Sequence, residues 1–252
     1  MPLLEHLVEL RKRLLYCIIF FFAAFLVAFY FAEPIFGFLV RPLAHAMEGR
    51  ADARMIYTAL QEAFFTYVKV AFFAAMCFSF PVFASQVWMF VAPGLYRNER
   101  RAFMPFLLAT PVMFALGASL VYFFIFPAAW DFFLQFQTPG GEGTLPIQVE
   151  PKVDQYLSLS MQLIFAFGLA FEMPVALVLM VRTGLISADA LAKKRRYAIV
   201  FAFIIAAVLT PPDPLSQIGL ALPLIALYEV SVFLGRMVEK RRAAEEAAQA
   251  AT

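Results

Sequence analysis

Six apolar runs divide this chain of 252 residues: about Leu14–Ala32, Val68–Val91, Phe103–Pro127, Leu157–Val181, Tyr197–Leu209 and Leu215–Leu234. About 20 apolar residues in an α-helix reach across a hydrocarbon core of roughly 30 Å. In lipid each backbone N–H and C=O must be satisfied inside the segment, so such runs fold as helices. The fold class that follows is all-α, a polytopic membrane protein with six transmembrane helices. Composition agrees, with 63% hydrophobic and 15% charged residues and a mean hydropathy of +0.80. A soluble domain of this size has no core able to hide that much apolar surface. A cytosolic enzyme, a disordered chain and a disulfide scaffold are thereby excluded. Cys17 and Cys77 both lie in apolar runs and read as small buried hydrophobes. A net charge of +2 gives no electrostatic basis for nucleic-acid binding.

Lysine and arginine set the expected orientation. One set of helix ends carries Arg11, Lys12 and Arg13, then Arg97, Arg100 and Arg101, then Arg182 and Lys193–Arg196, and finally Arg236, Lys240, Arg241 and Arg242. The opposite ends carry Arg41, Arg50, Arg54 and Lys152. This asymmetry predicts both termini in the cytoplasm. Met1–Arg13 is too polar to open a cleaved signal peptide, so the first span is expected to be retained. The organisation read here is one domain over 1–252: an amphipathic cytoplasmic helix over 1–13, a six-span bundle over 14–235 and a tail over 236–252. The long connections, about Glu33–Tyr67 and Ala128–Tyr156, carry turn residues and are expected to cap the non-cytoplasmic face. The tail from Glu239 lacks an apolar stripe and reads as frayed helix or disorder.

Two spans are short. Tyr197–Leu209 covers roughly 20 Å as a helix. Thr210-Pro211-Pro212-Asp213-Pro214 then forces a reversal, and the sixth run meets Tyr228-Glu229 after a similar distance. The pair reads either as a hairpin where the bilayer is thin or as a re-entrant pair packed on the other helices. Pro81, Pro111, Pro174 and Pro223 kink the other spans, and kinked helices favour a concave bundle.

Chemistry is sparse. There is no Walker-type glycine loop, no His-Glu-x-x-His and no Gly-x-Ser-x-Gly. Ser79 and Ser119 lie in spans without a histidine or lysine to activate them. No catalytic residue, metal site or cofactor is expected. Three acids stand out instead. Glu172 lies about 10 residues, roughly 15 Å, inside the fourth span. A carboxyl there must be protonated or hydrogen-bonded, and Gly168, one turn earlier, leaves room for another helix. Glu172 reads either as an internal hydrogen bond of the bundle or as a polar contact for a partner's helix or a signal sequence. Glu9 lies on the amphipathic segment with Leu3, Leu7, Leu10 and Leu14 on one face, and Glu99 lies in the loop Leu95–Arg101. Carboxylates pair bidentately with guanidinium, which lysine cannot reproduce, so two of them could read two adjacent arginines. The plainer readings are an i,i+4 pair of Glu9 with Arg13 and neutralisation of Glu99 by its own arginines.

The passages Pro2–Leu14, Gln86–Arg101, Phe167–Pro174, Lys193–Tyr197 and Leu209–Gln217 together resemble the TatC family, the multispanning subunit of the twin-arginine protein translocase. The resemblance covers about residues 2–240. It implies a receptor in the cytoplasmic (inner) membrane for folded proteins bearing twin-arginine signal peptides, driven by the proton motive force, in a multimeric complex with single-span TatA- and TatB-like partners. Glu9 and Glu99 match the family's signal-peptide acids, and Arg11, Phe90, Leu95 and Arg101 fall in the same two motifs. Pro42 matches a proline of the first non-cytoplasmic loop, Glu172 the intramembrane acid, and Thr210 and Gln217 polar positions near the partner-docking segments. The alternatives from other classes are a small-solute or ion transporter, which needs a continuous polar path rather than one central acid, and a structural scaffold.

Overall fold

The computed structural model describes residues 3–49, 54–91, 100–138, 147–209 and 214–250, with 141 and 145. Among these residues the α-helices are, in chain order, α1 Leu3–Tyr30, α2 Ala32–Ala46, α3 Glu62–Val91, α4 Arg100–Leu120, α5 Phe126–Leu134, α6 Val153–Ala170, α7 Met173–Arg182, α8 Ala188–Lys193, α9 Arg195–Leu209 and α10 Pro214–Ala250. Among the described residues extended pairing is confined to two isolated bridges, Ile56 with Lys152 and Thr138 with Ile147. Among the described residues five stretches are long and apolar enough to cross a membrane: Leu7–Tyr30, Glu62–Val87, Met104–Leu134, Val153–Arg182 and Gln217–Ala244. The chain is a multi-pass membrane protein. With its 15 residues α9 is the short span expected from the sequence; its length is about 22 Å.

The sixth span adds something the apolar run did not show. α10 continues unbroken for 37 residues, because the Ala, Glu, Arg and Lys that follow its apolar part are strong helix formers. Arg195 Nη2 lies 2.8 Å from Glu229 Oε2, which puts Glu229 level with the start of α9. The apolar arm of α10 before Glu229 is therefore as short as α9. Of the two readings of the tail, frayed helix or disorder, the structure has helix through Ala250. The amphipathic segment and the first span likewise form one helix, α1, on which Leu7, Leu10 and Leu14 stay exposed.

Helix packing resolves two compact units, Met1–Pro93 with Ser119–Phe165, and Gly94–Ala118 with Ala166–Thr252. In the first, α1 and the start of α2 pack on α3 through Ala28, Ala32, Ala71 and Ala74, with Phe25, Ile35 and Tyr67 around them. Small side chains let two helix backbones approach closely, which is how helices associate where lipid removes the hydrophobic drive. The two long loops are tied together: Val153 N–H donates to the Ile56 carbonyl at 3.1 Å, Arg54 pairs with Glu150 and Lys69 with Asp154. Tyr156 donates to the Leu39 carbonyl at 2.8 Å. These bonds join the described parts of the two loops to each other and to α2.

In the second unit α10 packs on α7, α8 and α9. Val181, Ala188, Leu191, Tyr228 and Val232 form its core, and Tyr228 donates to the Leu191 carbonyl at 2.8 Å. Ala202 and Ala206 are the buried face of α9, while Phe201, Ile204 and Val208 are exposed. That division is what a helix with lipid on one side requires.

Candidate functional site

Two places hold the acids singled out above. The first is near the N-terminal end of α1. Arg13 Nη2 and Nε both donate to Glu9 Oε1, at 2.5 and 3.0 Å. The i,i+4 spacing on one helix face makes this pair local. Arg13 does more than that, because its Nη1 donates to Gln86 Oε1 on α3 at 3.1 Å. One guanidinium therefore joins the Pro2–Leu14 segment to the start of the Gln86–Arg101 segment. α1 and α3 run antiparallel, so one turn back from Arg13 and one turn on from Gln86 bring Glu9 level with Phe90, about 5.4 Å beyond the bridge. Phe90 is half-buried and Arg11 exposed. The Glu9 side chain keeps 30% of its surface, and among the described residues its second oxygen takes no hydrogen bond. Leu95 and Glu99, and the side chain of Arg101, lie outside the described residues, as does Thr210. Sequence reasoning missed Gln86, whose signal is a lone amide near the end of an apolar helix.

The second place is Glu172 in the other unit. Pro174 brings no N–H, so α6 stops at Ala170 and α7 begins at Met173. Glu172 occupies the break, its N–H tightened onto the Leu169 carbonyl at 3.0 Å. The carboxyl faces Thr110 and the backbone of Phe114 on α4. Glu172 Oε1 and Thr110 Oγ1 are both shielded from solvent, and neither makes a hydrogen bond of normal geometry. Thr110 was not singled out in the sequence; its signal is a hydroxyl directly before Pro111 in an apolar run.

Gly168 does admit another helix, and that helix is the chain's own α4. A Cβ on Gly168 would stand 2.5 Å from Phe114 Cε2, and one on Gly117 would stand 2.5 Å from the Phe167 carbonyl oxygen. The two glycines act reciprocally, each removing the side chain that would hold α4 and α6 apart. Gln217, on α10, reaches the Phe203 carbonyl of α9 at 3.5 Å. Pro42 is buried within α2. Among the described residues no group of three or more His, Cys, Asp and Glu side chains is arranged to hold a metal ion.

The chain matches the family described as Sec-independent protein translocase protein (TatC) over residues 5–223. It is 49% identical to the Sec-independent protein translocase protein TatC of Magnetococcus marinus over 250 residues, 99% of this chain and 89% of that one. Against the protein of the same name from Escherichia coli K12 it is 42% identical over 246 residues, 97% of this chain and 92% of the relative. A crystal structure of the twin arginine translocase receptor TatC superposes with a TM-score of 0.77 at 37% identity, covering 92% of this chain and 99% of that one. A second, of the same receptor in DDM, gives 0.78 at 38% identity. With a match that spans nearly every helix described above, the chain belongs to the TatC family of Sec-independent protein translocase proteins.

Proposed function

We propose that this translocase subunit is the receptor that catches the paired arginines of twin-arginine signal peptides, and that folded precursors bearing them cross the cytoplasmic membrane with it. The observation that carries the reading is the Glu9–Arg13–Gln86 bridge. Glu9 already holds a guanidinium, so its surroundings suit that group in size and charge. Its second oxygen and its partial exposure leave it able to take another. Glu99, in the segment of sequence after α3, supplies the second carboxylate, and Arg11, Phe90, Leu95 and Arg101 shape the site around the pair. Charge-assisted bidentate bonds distinguish arginine from lysine by geometry as well as charge. Both termini and this site face the cytoplasm, in keeping with the arginine and lysine distribution.

The apolar stretch of the signal then passes into the membrane by Glu172, whose unmet oxygen can accept a polar group from a signal or a partner helix. Thr210 and Gln217, at the turn and start of the short α9–α10 pair, meet single-span TatA- and TatB-like partners in a multimeric complex. The proton motive force drives transport. The test is export of a twin-arginine precursor in cells carrying Glu9→Ala, Glu99→Ala or both. Loss of export with membrane insertion intact is the expected result. Full export in the double variant would overturn the site.

A further inference from the structure

A cleft of about 650 Å³ lies in the first unit between α2 and the turn that joins α4 to α5. Its walls come from two local features of the sequence. Pro42 sits inside α2 and has no N–H, so the Phe38 carbonyl four residues back loses its helical donor. Tyr122 Oη takes that place, donating to the Phe38 carbonyl at 2.7 Å, and its ring stacks on Phe38 with centroids 4.3 Å apart and planes 2° from parallel. Tyr122 is aimed there by one wide π turn, Val121–Ile125, in which the Phe126 N–H reaches back five residues to Val121. Such turns add a residue to a helix and re-aim its side chains, often at functional positions.

Arg41 and Asp131 both line the cleft. Among the described residues neither makes an ion pair, with the other or with anything else. His45, also on the wall, is held by Glu48 at 2.6 Å. Opposite charges that share a cleft and leave each other unpaired suit a ligand that carries both signs.

The level of the cleft identifies the source. Beyond Arg13, α1 rises 17 residues to Tyr30, about 26 Å, and α2 begins at once. The Lys69–Asp154 pair and the Tyr156 bond to Leu39 put charged groups at the same end of the unit. Tyr30, Phe31 and Phe38 are exposed around it, as interfacial aromatics are. Phe123 and Phe124, 63% and 70% exposed, continue from the cleft along the helix as an apolar track suited to an acyl chain.

We propose that this cleft binds the headgroup of a phosphatidylethanolamine from the leaflet beside α2. The phosphate meets the Arg41 guanidinium, and the primary ammonium donates to the Asp131 carboxylate beside the Tyr122–Phe38 ring pair. Phosphatidylglycerol lacks the cation for Asp131. Phosphatidylcholine has no N–H to donate. Pro42 gains a physical role here, as the residue that frees the carbonyl on which the wall is locked. The inference is independent of the signal-peptide site.

The test uses the full chain purified into nanodiscs containing equal mole fractions of phosphatidylethanolamine, phosphatidylcholine and phosphatidylglycerol. Retained lipids are counted by native mass spectrometry for the wild type, Arg41→Gln and Asp131→Asn. We expect phosphatidylethanolamine enriched at least fivefold in the wild type and near parity in both variants. Parity in the wild type, or enrichment unchanged by Asp131→Asn, would overturn the proposal. Soluble glycerophosphoethanolamine offered in place of the lipid separates a lipid from a free phosphodiester: it should bind far more weakly than phosphatidylethanolamine, and equal affinity of the two would show that the membrane source is wrong. A photoreactive phosphatidylethanolamine on the wild type needs no variant to fold. Adducts should map to residues 38–46 and 122–131, and adducts confined to other segments would refute the site.

Discussion

Glu9 and Glu172 are the same residue type in opposite circumstances. Glu9 stands on a helix end with a guanidinium donating twice to one oxygen and, among the described residues, no hydrogen bond to the other. Glu172 stands in a helix break with one oxygen shielded, facing the Thr110 hydroxyl and the Phe114 backbone without a hydrogen bond of normal geometry. The first is a charge with a replaceable partner. The second is a shielded polar group, one oxygen of which has no hydrogen bond of normal geometry. In the function proposed above, exchange of arginines belongs to the first, and a transient polar contact within the membrane to the second.

The largest test of that contrast removes both carboxylates of the proposed signal-peptide site. Each charge-assisted bond contributes about 1.5–3 kcal/mol, so Glu9→Ala with Glu99→Ala should weaken signal-peptide binding by about 10²–10⁴-fold, measured by titration with a fluorescent peptide. Next comes the packing that holds Glu172 in place. Gly168→Leu puts a side chain where Phe114 now lies, and overpacking of this kind costs about 1–3 kcal/mol. A lower melting temperature is expected, together with loss of export. Glu172→Leu separates the two carboxyls most directly. It removes a buried group with an unmet bond, so stability should hold or rise by about 1–3 kcal/mol while export falls; Glu172→Gln should retain part of the export. A loss of stability in Glu172→Leu would show that the carboxyl is an internal bond of the bundle. The smallest effect is expected from Arg13→Gln. A partly exposed ion pair contributes about 0–1 kcal/mol, so the melting temperature should hardly move, and peptide affinity should stay the same or improve as Glu9 Oε1 is released.

Much of this was legible in the sequence, for identifiable reasons. Apolar runs and the need to satisfy backbone groups in lipid define the spans, and the short α9 follows from counting residues between Lys193–Arg196 and the prolines. Pro174 announces the break at Glu172. Less legible was anything that depends on which helix lies beside which. The Glu9–Arg13 pair is local and foreseeable, but the reach of Arg13 to Gln86 spans 73 positions. Gly168 announces a close approach without naming Phe114 as the visitor. The tail was left open between frayed helix and disorder because its lack of an apolar stripe says nothing against a helix made of strong helix formers. The two-arginine site itself rests on motif resemblance for Glu99 and on geometry for Glu9.

The most direct measurement places a photocrosslinker at position 99 and presents the receptor with a signal peptide carrying either Arg-Arg or Lys-Lys. The account predicts a strong crosslink with Arg-Arg, reduced at least tenfold with Lys-Lys and reduced again when Glu9→Ala is introduced. Equal crosslinking of the two peptides, unaffected by Glu9→Ala, would contradict it.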